Sequence, residues 1–188
     1  MINKDFFKKI RILDGGMGQE LLARGMKPNS TLWSANAILD ENYHQLVLDT
    51  HIDFIKAGAE IIVTTTFATR QKRLKENNLL DKFEYLNQKA GEIAQAAKKK
   101  FPNTYIAGGI PPQNLTYEAD DRDEVEITEN FNSQAKALNP YVDFFYFDVW
   151  SSIKEVKCGI DAVKKFKKPY LVCLLYTSDA ADEGLGVD

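Results

Sequence analysis

The 188-residue sequence predicts an α/β fold built on a parallel sheet, and three features carry that prediction. Short β-branched or aromatic runs alternate with longer segments of helical period. The alternation repeats four times, strand then helix, and closes on one more strand. Polar residues fitted for chemistry fall where the apolar runs end. Such alternation lays helices over a parallel sheet. An open doubly wound sheet and a (β/α)8 barrel both satisfy it, and apolar strands suit either. A complete barrel takes about 250 residues, so four units and a strand make a little over half of one.

Each element has its own justification. Residues 11–14, "RILD", with Ile10 ahead, read as a short buried strand. Residues 40–57 read as a helix, with Leu46, Leu48, Ile52 and Ile55 giving much of its apolar face. Residues 60–67, "EIIVTTTF", are β-branched almost throughout and read as the second strand. A helix over 81–100 follows, then a strand over 104–110, "TYIAGGI", stopped by Pro111 and Pro112. Residues 128–138 are expected to be helical with Thr128 as N-cap. Residues 142–149, "VDFFYFDV", read as the fourth strand, and 151–166 as a helix capped by Ser151 or Ser152. Residues 169–172 open the fifth strand.

Composition narrows the function classes. A net charge of −3 with no basic stripe gives no sign of nucleic-acid binding. The lysine clusters at 98–100 and 164–168 fall at predicted helix ends, where they complement the helix dipole. No run is long and apolar enough to span a membrane, and the N-terminus lacks the pattern of a signal peptide. Two distant cysteines, Cys158 and Cys173, make no disulfide framework, so the cytoplasm is the expected compartment.

In either architecture chemistry gathers at the C-terminal ends of the strands. Asp14, Thr64, Thr66, Gly108, Gly109 and Asp148 all fall there. In the loop "DGGMG" a carboxylate stands directly before Gly15 and Gly16. The spacing is neither G-x-G-x-x-G nor a P-loop, and the acid would repel a phosphate. A zwitterion fits better, its ammonium on Asp14 and its carboxylate on the loop N–H groups. A tight turn with Asp14 capping the following helix is the alternative.

The stretch "ILDGGMGQELLARG" resembles the opening motif of the homocysteine S-methyltransferase family. "LWSANAILDE", "AGAEIIVTTTFATR", "AGGIPPQNLTYEAD" and "FDVWSSIKEVK" resemble later motifs of that family, in the family's order. The resemblance covers residues 8–172. It implies a (β/α)8 TIM barrel, here truncated to about four βα units plus a fifth strand. It also implies methyl transfer to the sulfur of homocysteine from a donor such as S-methylmethionine or S-adenosylmethionine, giving methionine. Asp14, Gly15 and Gly16 would hold the amino-acid end of homocysteine, with Thr64 and Thr66 lining the same pocket. Asp148-Val149 stands where the family usually has Glu-Thr, one methylene shorter, so Asp148 joins the expected substrate-binding set with an altered reach. Asp148 capping the next helix is the alternative.

The family implies zinc, which would hold the thiol deprotonated through cysteine ligands. Its Gly-x-Asn-Cys-like and Gly-Gly-Cys-Cys motifs are absent, so neither a catalytic nor a metal residue is expected here. Cys158 is expected to be a helix-packing residue, and His44 and His51 surface or packing residues. The acidic run 118–126 is expected to be a solvated loop. Residues 173–183, "CLLYTSDAADE", resemble the conceptual translation of a transposon-end sequencing adapter. Residues 1–172 are thus expected to be the N-terminal portion of a homocysteine-binding barrel, and 173–188 a non-native tail. A non-catalytic amino-acid-binding barrel, or an inactive half barrel, is the competing reading. The expected partners are small molecules only, and the sequence does not indicate an oligomeric state.

Overall fold

The computed structural model describes residue 2 and residues 5–175. Strands β1 (Ile61–Val63), β2 (Tyr105–Ile110), β3 (Phe144–Trp150) and β4 (Tyr170–Leu174) form one parallel sheet, ordered as they occur in the chain. A doubly wound sheet reverses its strand order at a switch point. No reversal occurs among these strands, and the progression is that of a barrel wall.

Residues 11–14 depart from expectation. They form no strand, only one parallel bridge between Leu13 and Ile61. Asp14 N–H donates to the Ile61 carbonyl and Glu60 N–H to that of Ile12, both at 2.9 Å. Among the described residues the segment pairs on one side alone, and Ile10 and Ile12 are 93% and 55% exposed.

The connections hold helices α1 (Met17–Ala23), α2 (Asn36–Leu39), α3 (His44–Lys56), α4 (Gln71–Glu76), α5 (Phe83–Lys100), α6 (Glu124–Leu138) and α7 (Ile153–Val163). Helix α6 starts four residues before Thr128. Its N-cap is Asp123, which accepts from Val125 N–H at 2.8 Å, with Glu124 and Glu126 in the first turn. Acids at a helix N-terminus are favoured by the exposed N–H groups and the dipole. The acidic run is therefore partly helical, and Asp120 within it is buried and paired with Arg122 at 2.7 Å. Helix α7 is capped by Ser152, whose Oγ accepts from Glu155 N–H at 3.2 Å and bonds the Glu155 carboxylate at 2.9 Å. The sequence S-x-x-E is that of a capping box, with the glutamate here accepting from the Ser152 hydroxyl and not from its backbone N–H.

Alternation along the strands sorts side chains between two faces. The outer set, including Ile62, Ile106, Phe145 and Phe147, packs with Phe131 of α6 and Cys158 of α7. The inner set comprises Ile61, Ala107 and Phe144, with Ile2 packed against them. Above these on β3, Tyr146 and Asp148 continue the inner face. Trp150 should follow them by parity. It lies instead in the outer core, stacked on Phe147 at 4.2 Å and Phe131 at 4.1 Å, its indole N–H donating to the Ile110 carbonyl at 2.7 Å. The face changes at Val149, whose φ is +52°, where pairing with β4 slips between Phe147 and Trp150. This is a β-bulge, the device that re-aims side chains next to functional sites.

Candidate functional site

A cavity of about 310 Å³ opens at the C-terminal ends of the strands. All six residues expected from the sequence line it: Asp14, Gly15, Gly16, Thr64, Thr66 and Asp148. Trp33, Thr65 and Tyr146, which the sequence did not single out, complete much of the wall.

Asp14 does not cap α1. The N-cap of that helix is Gly16, with no side-chain capping bond. Asp14 reaches across to β1 instead, and its Oδ2 accepts the Val63 N–H at 2.9 Å. Its side chain is only 3% exposed. Burial lifts its pKa to about 7, against the lowering effect of the Val63 bond, and the nearby charge of Asp148 adds to the rise. Asp148 is likewise raised by burial, while a hydrogen bond from the Tyr146 hydroxyl pulls the other way. The same burial and the Asp148 charge keep the Tyr146 phenol protonated. Asp148 does not cap α7, since Ser152 fills that role. Two carboxyl groups thus face one cavity with their charged forms disfavoured, and a cation entering it would reverse that balance.

The glycines divide by role. A Cβ on Gly15 would come within 2.9 Å of the Phe54 ring, and one on Gly18 within 2.6 Å of the Trp33 indole. A Cβ on Gly16 would meet nothing within 4 Å. Among the described residues no hydrogen bond engages the N–H of Gly15 or Gly16. The loop therefore offers two free donors beside an acid.

The threonines are committed elsewhere. Thr66 Oγ1 donates to the Gly109 carbonyl at 2.6 Å, Thr64 Oγ1 lies 2.9 Å from Thr66 Oγ1, and Gly109 N–H donates to Thr64 Oγ1 at 3.0 Å. With Thr64 donating to Thr66, both hydroxyl protons are used, and each oxygen can only accept. Thr66 N–H turns back to the Thr64 carbonyl at 2.7 Å, which explains why β1 ends at Val63 and not at 67. The Thr65 hydroxyl is buried without a partner.

His51 of α3 is wholly buried behind Asp14, its Nδ1 3.8 Å from Asp14 Oδ2, and neither ring nitrogen has a hydrogen bond. Burial lowers its pKa to about 4. With Asp14 raised to about 7, the two do not form an ion pair at neutral pH. The signal for burial was in the sequence: His51 follows the buried Val47 by four residues, on one helix stripe. His44 is half-buried and bonds the Ile38 carbonyl at 2.8 Å.

Cys158 packs in the outer core, as expected, and Cys173 lies half-buried on β4. Among the described residues no three His, Cys, Asp or Glu side chains are grouped to hold a metal ion. The cavity presents carboxyl, phenol and hydroxyl oxygens and not sulfur pairs, so the described residues do not fit a thiolate-bound zinc.

The homocysteine S-methyltransferase family model matches residues 11–186. The chain belongs to this family. Homocysteine S-methyltransferase 2 of Saccharomyces cerevisiae is 32% identical over 114 residues, covering 56% of this chain and 35% of the yeast protein. Homocysteine S-methyltransferase 1 of the same yeast is 28% identical over 177 residues, covering 79% of this chain and 51% of the relative. The chain spans about a third to a half of the length of these curated relatives. The metallated form of the homocysteine methyltransferase MmuM from Escherichia coli superposes with a TM-score of 0.78 at 19% identity, over 93% of this chain and 66% of that one. This likeness supports the fold.

Proposed function

We propose that the chain is the amino-acid-binding portion of a homocysteine S-methyltransferase barrel. In this reading residues 1–172 supply about four βα units and a fifth strand. The single observation behind it is the convergence of Asp14, whose side chain is buried, and Asp148, which is half-buried, both with raised pKa, with the free N–H groups of Gly15 and Gly16 in one cavity. The ammonium of homocysteine docks between the two carboxyl groups and restores their charge. The carboxylate of the ligand accepts from the glycine N–H groups. Thr64 and Thr66 brace the floor through Gly109, and Thr65 keeps a hydroxyl free for the ligand.

The sulfur, giving up its proton to solvent, would then form a bond to the donor's methyl carbon as the donor's sulfonium S–CH3 bond breaks, so that homocysteine becomes methionine and the donor leaves as methionine (from S-methylmethionine) or S-adenosylhomocysteine (from S-adenosylmethionine). Zinc, which the resemblance implies for the full-length enzyme, would have to be held by residues beyond this portion, so the chain alone is expected to lack transferase activity. A non-catalytic amino-acid-binding barrel is the second reading, favoured by Asp148, whose reach is shorter than that of the usual glutamate. The cytoplasm is the proposed compartment; among the described residues no helix is long and apolar enough to cross a membrane.

Calorimetric titration of the 188-residue chain with homocysteine tests this reading. Saturable binding that weakens at least tenfold in Asp14→Asn and in Asp148→Asn is expected. Equal affinity in the wild-type chain and both variants would overturn it.

A further inference from the structure

A second cavity, of about 270 Å³, lies beside the first. The two are lined by neighbouring stretches of the chain, with no residue in common. Segment 30–34 gives Trp33 and Ser34 to the first and Thr31 to the second, and segment 64–73 gives Thr66 to the first and Arg70 to the second. Three cations line this second cavity, Arg70, Lys72 and Arg73, against one acid, Glu76.

The pairing of these cations is unlike that elsewhere in the chain. Of the five arginines, Arg11 pairs with Glu60, Arg24 with Glu20 and Asp53, and Arg122 with Asp120 and Glu126. The two with no carboxylate partner among the described residues are Arg70 and Arg73, and both face this cavity. Arg70 is 5% exposed, yet its Nη1 finds only the Pro112 carbonyl at 2.8 Å and Thr116 Oγ1 at 3.2 Å, and its Nε has no acceptor. Arg73 donates to the Thr31 carbonyl at 3.3 Å, and Lys72 to Asn114 Oδ1 at 2.6 Å. Glu76 stands off at 3.9 Å from Lys72. Neutral oxygens hold the cations in place without cancelling them. Burying a guanidinium with no carboxylate in contact is costly; burial, and then the Arg73 charge, depress the Arg70 pKa to about 10 against the raising effect of Glu76, so that it stays charged at neutral pH.

We propose that this cavity binds an oxyanion carried by a small ligand, with Arg70 as the buried anchor and Lys72 and Arg73 closing over it. A carboxylate or a phosphate offers the planar or tripodal acceptors that guanidinium groups take. The oxyanion site does not depend on the reading of the amino-acid cavity; only S-methylmethionine as a source rests on the proposed function. One source is the carboxylate of a second substrate such as S-methylmethionine; the other is free phosphate.

The test is calorimetric titration of the 188-residue chain, once with inorganic phosphate and once with S-methylmethionine, at low and moderate salt. Saturable binding of at least one anion, weakened at least tenfold in the Lys72→Gln/Arg73→Gln double variant and by added salt, is expected. Those two residues are partly exposed, so the variant is expected to fold; Arg70→Gln is the stronger probe where circular dichroism shows it native. Saturation by phosphate alone assigns the site to free phosphate, and by S-methylmethionine alone to the second substrate. Absence of saturable binding by both, or an affinity unmoved in the double variant, would overturn the proposal. Asp14→Asn should leave phosphate affinity unchanged, which separates failure here from failure of the amino-acid site.

Discussion

At the scale of single residues, Asp14 governs pH behaviour. A carboxyl group whose pKa is raised from 3.8 to about 7 binds its proton more tightly folded than unfolded. The fold carries no penalty from Asp14 below about pH 4. It loses stability as pH rises toward 7 and levels off above, a change on the order of 4 kcal/mol. Urea unfolding between pH 4 and pH 8 should show this fall, and Asp14→Asn should flatten it. An ammonium ligand reverses the balance by favouring the charged carboxylate. Homocysteine affinity is therefore expected to rise about tenfold per pH unit on approaching pH 7 and to plateau above it. His51 enters through the same atom. A neutral imidazole 3.8 Å from Asp14 Oδ2 is the polar group nearest to supplying a further donor. His51→Leu should raise the Asp14 pKa above 7, and His51→Asn should restore it, as read by carbon-13 titration of the Asp14 carboxyl. An unchanged titration in His51→Leu would confine His51 to packing.

At the scale of elements, the segment after β1 is held by a buried polar network. Gln134 of α6 donates to the Thr66 carbonyl at 3.0 Å and to Asn87 Oδ1 at 3.1 Å, and Asn87 accepts from Thr69 at 2.8 Å. Gln134→Leu takes one donor from each of these acceptors and removes the oxygen to which Gln113 Nε2 donates at 2.8 Å, and should cost about 1–3 kcal/mol in denaturant unfolding, with homocysteine affinity falling as the floor loosens. This network was not legible in the sequence. Asn87 and Gln134 sit on two helices that each look amphipathic, and their pairing exists only once α5 and α6 pack. The strands and their polar ends were legible, because β-branched runs and the residues that stop them are local signals. Residues 11–14 failed as a strand for a tertiary reason, a missing neighbour, and α6 began early because Asp123 offered a better cap than Thr128. Val149 is the other element-level feature. A β-branched residue at positive φ is strained, so Val149→Gly should raise the melting temperature if the bulge is kept, by a gain of about 1 kcal/mol.

At the scale of the whole molecule, both margins of the sheet are poorly covered. Ile10 and Ile12 are exposed on one side, and Tyr170 and the half-buried remainder of β4 on the other. Uncovered parallel edges invite pairing with other chains. Sedimentation velocity should show self-association or poor solubility, and metal analysis no stoichiometric zinc; a monodisperse monomer with one zinc per chain would contradict the half-barrel reading. We propose that residues 173–188 are non-native. Residues 176–188 lie outside the described residues, whereas Cys173 and Leu174 complete β4 and the family match runs to residue 186. Sequencing the source DNA through codon 172 decides the point, since a frame that continues without the adapter should reach a Gly-Gly-Cys-Cys motif.

The crossing of β3 from one face to the other at Val149 also bears on descent. Val149 is the extra residue of the crossing: with it deleted, simple alternation would keep Asp148 on the inner face and Trp150 on the outer, whereas with it kept and the bulge straightened Trp150 would turn into the inner face. Trp150 occupies the space left open by Gly159, where a Cβ would lie 2.1 Å from the indole. Loss of the residue at position 149 is thus compatible with both placements. Lineages sharing this architecture should accumulate insertions and deletions in the exposed stretch around Tyr117 and Glu118, and a β3 shortened by one residue at position 149 should still place its acid and its tryptophan on these two faces.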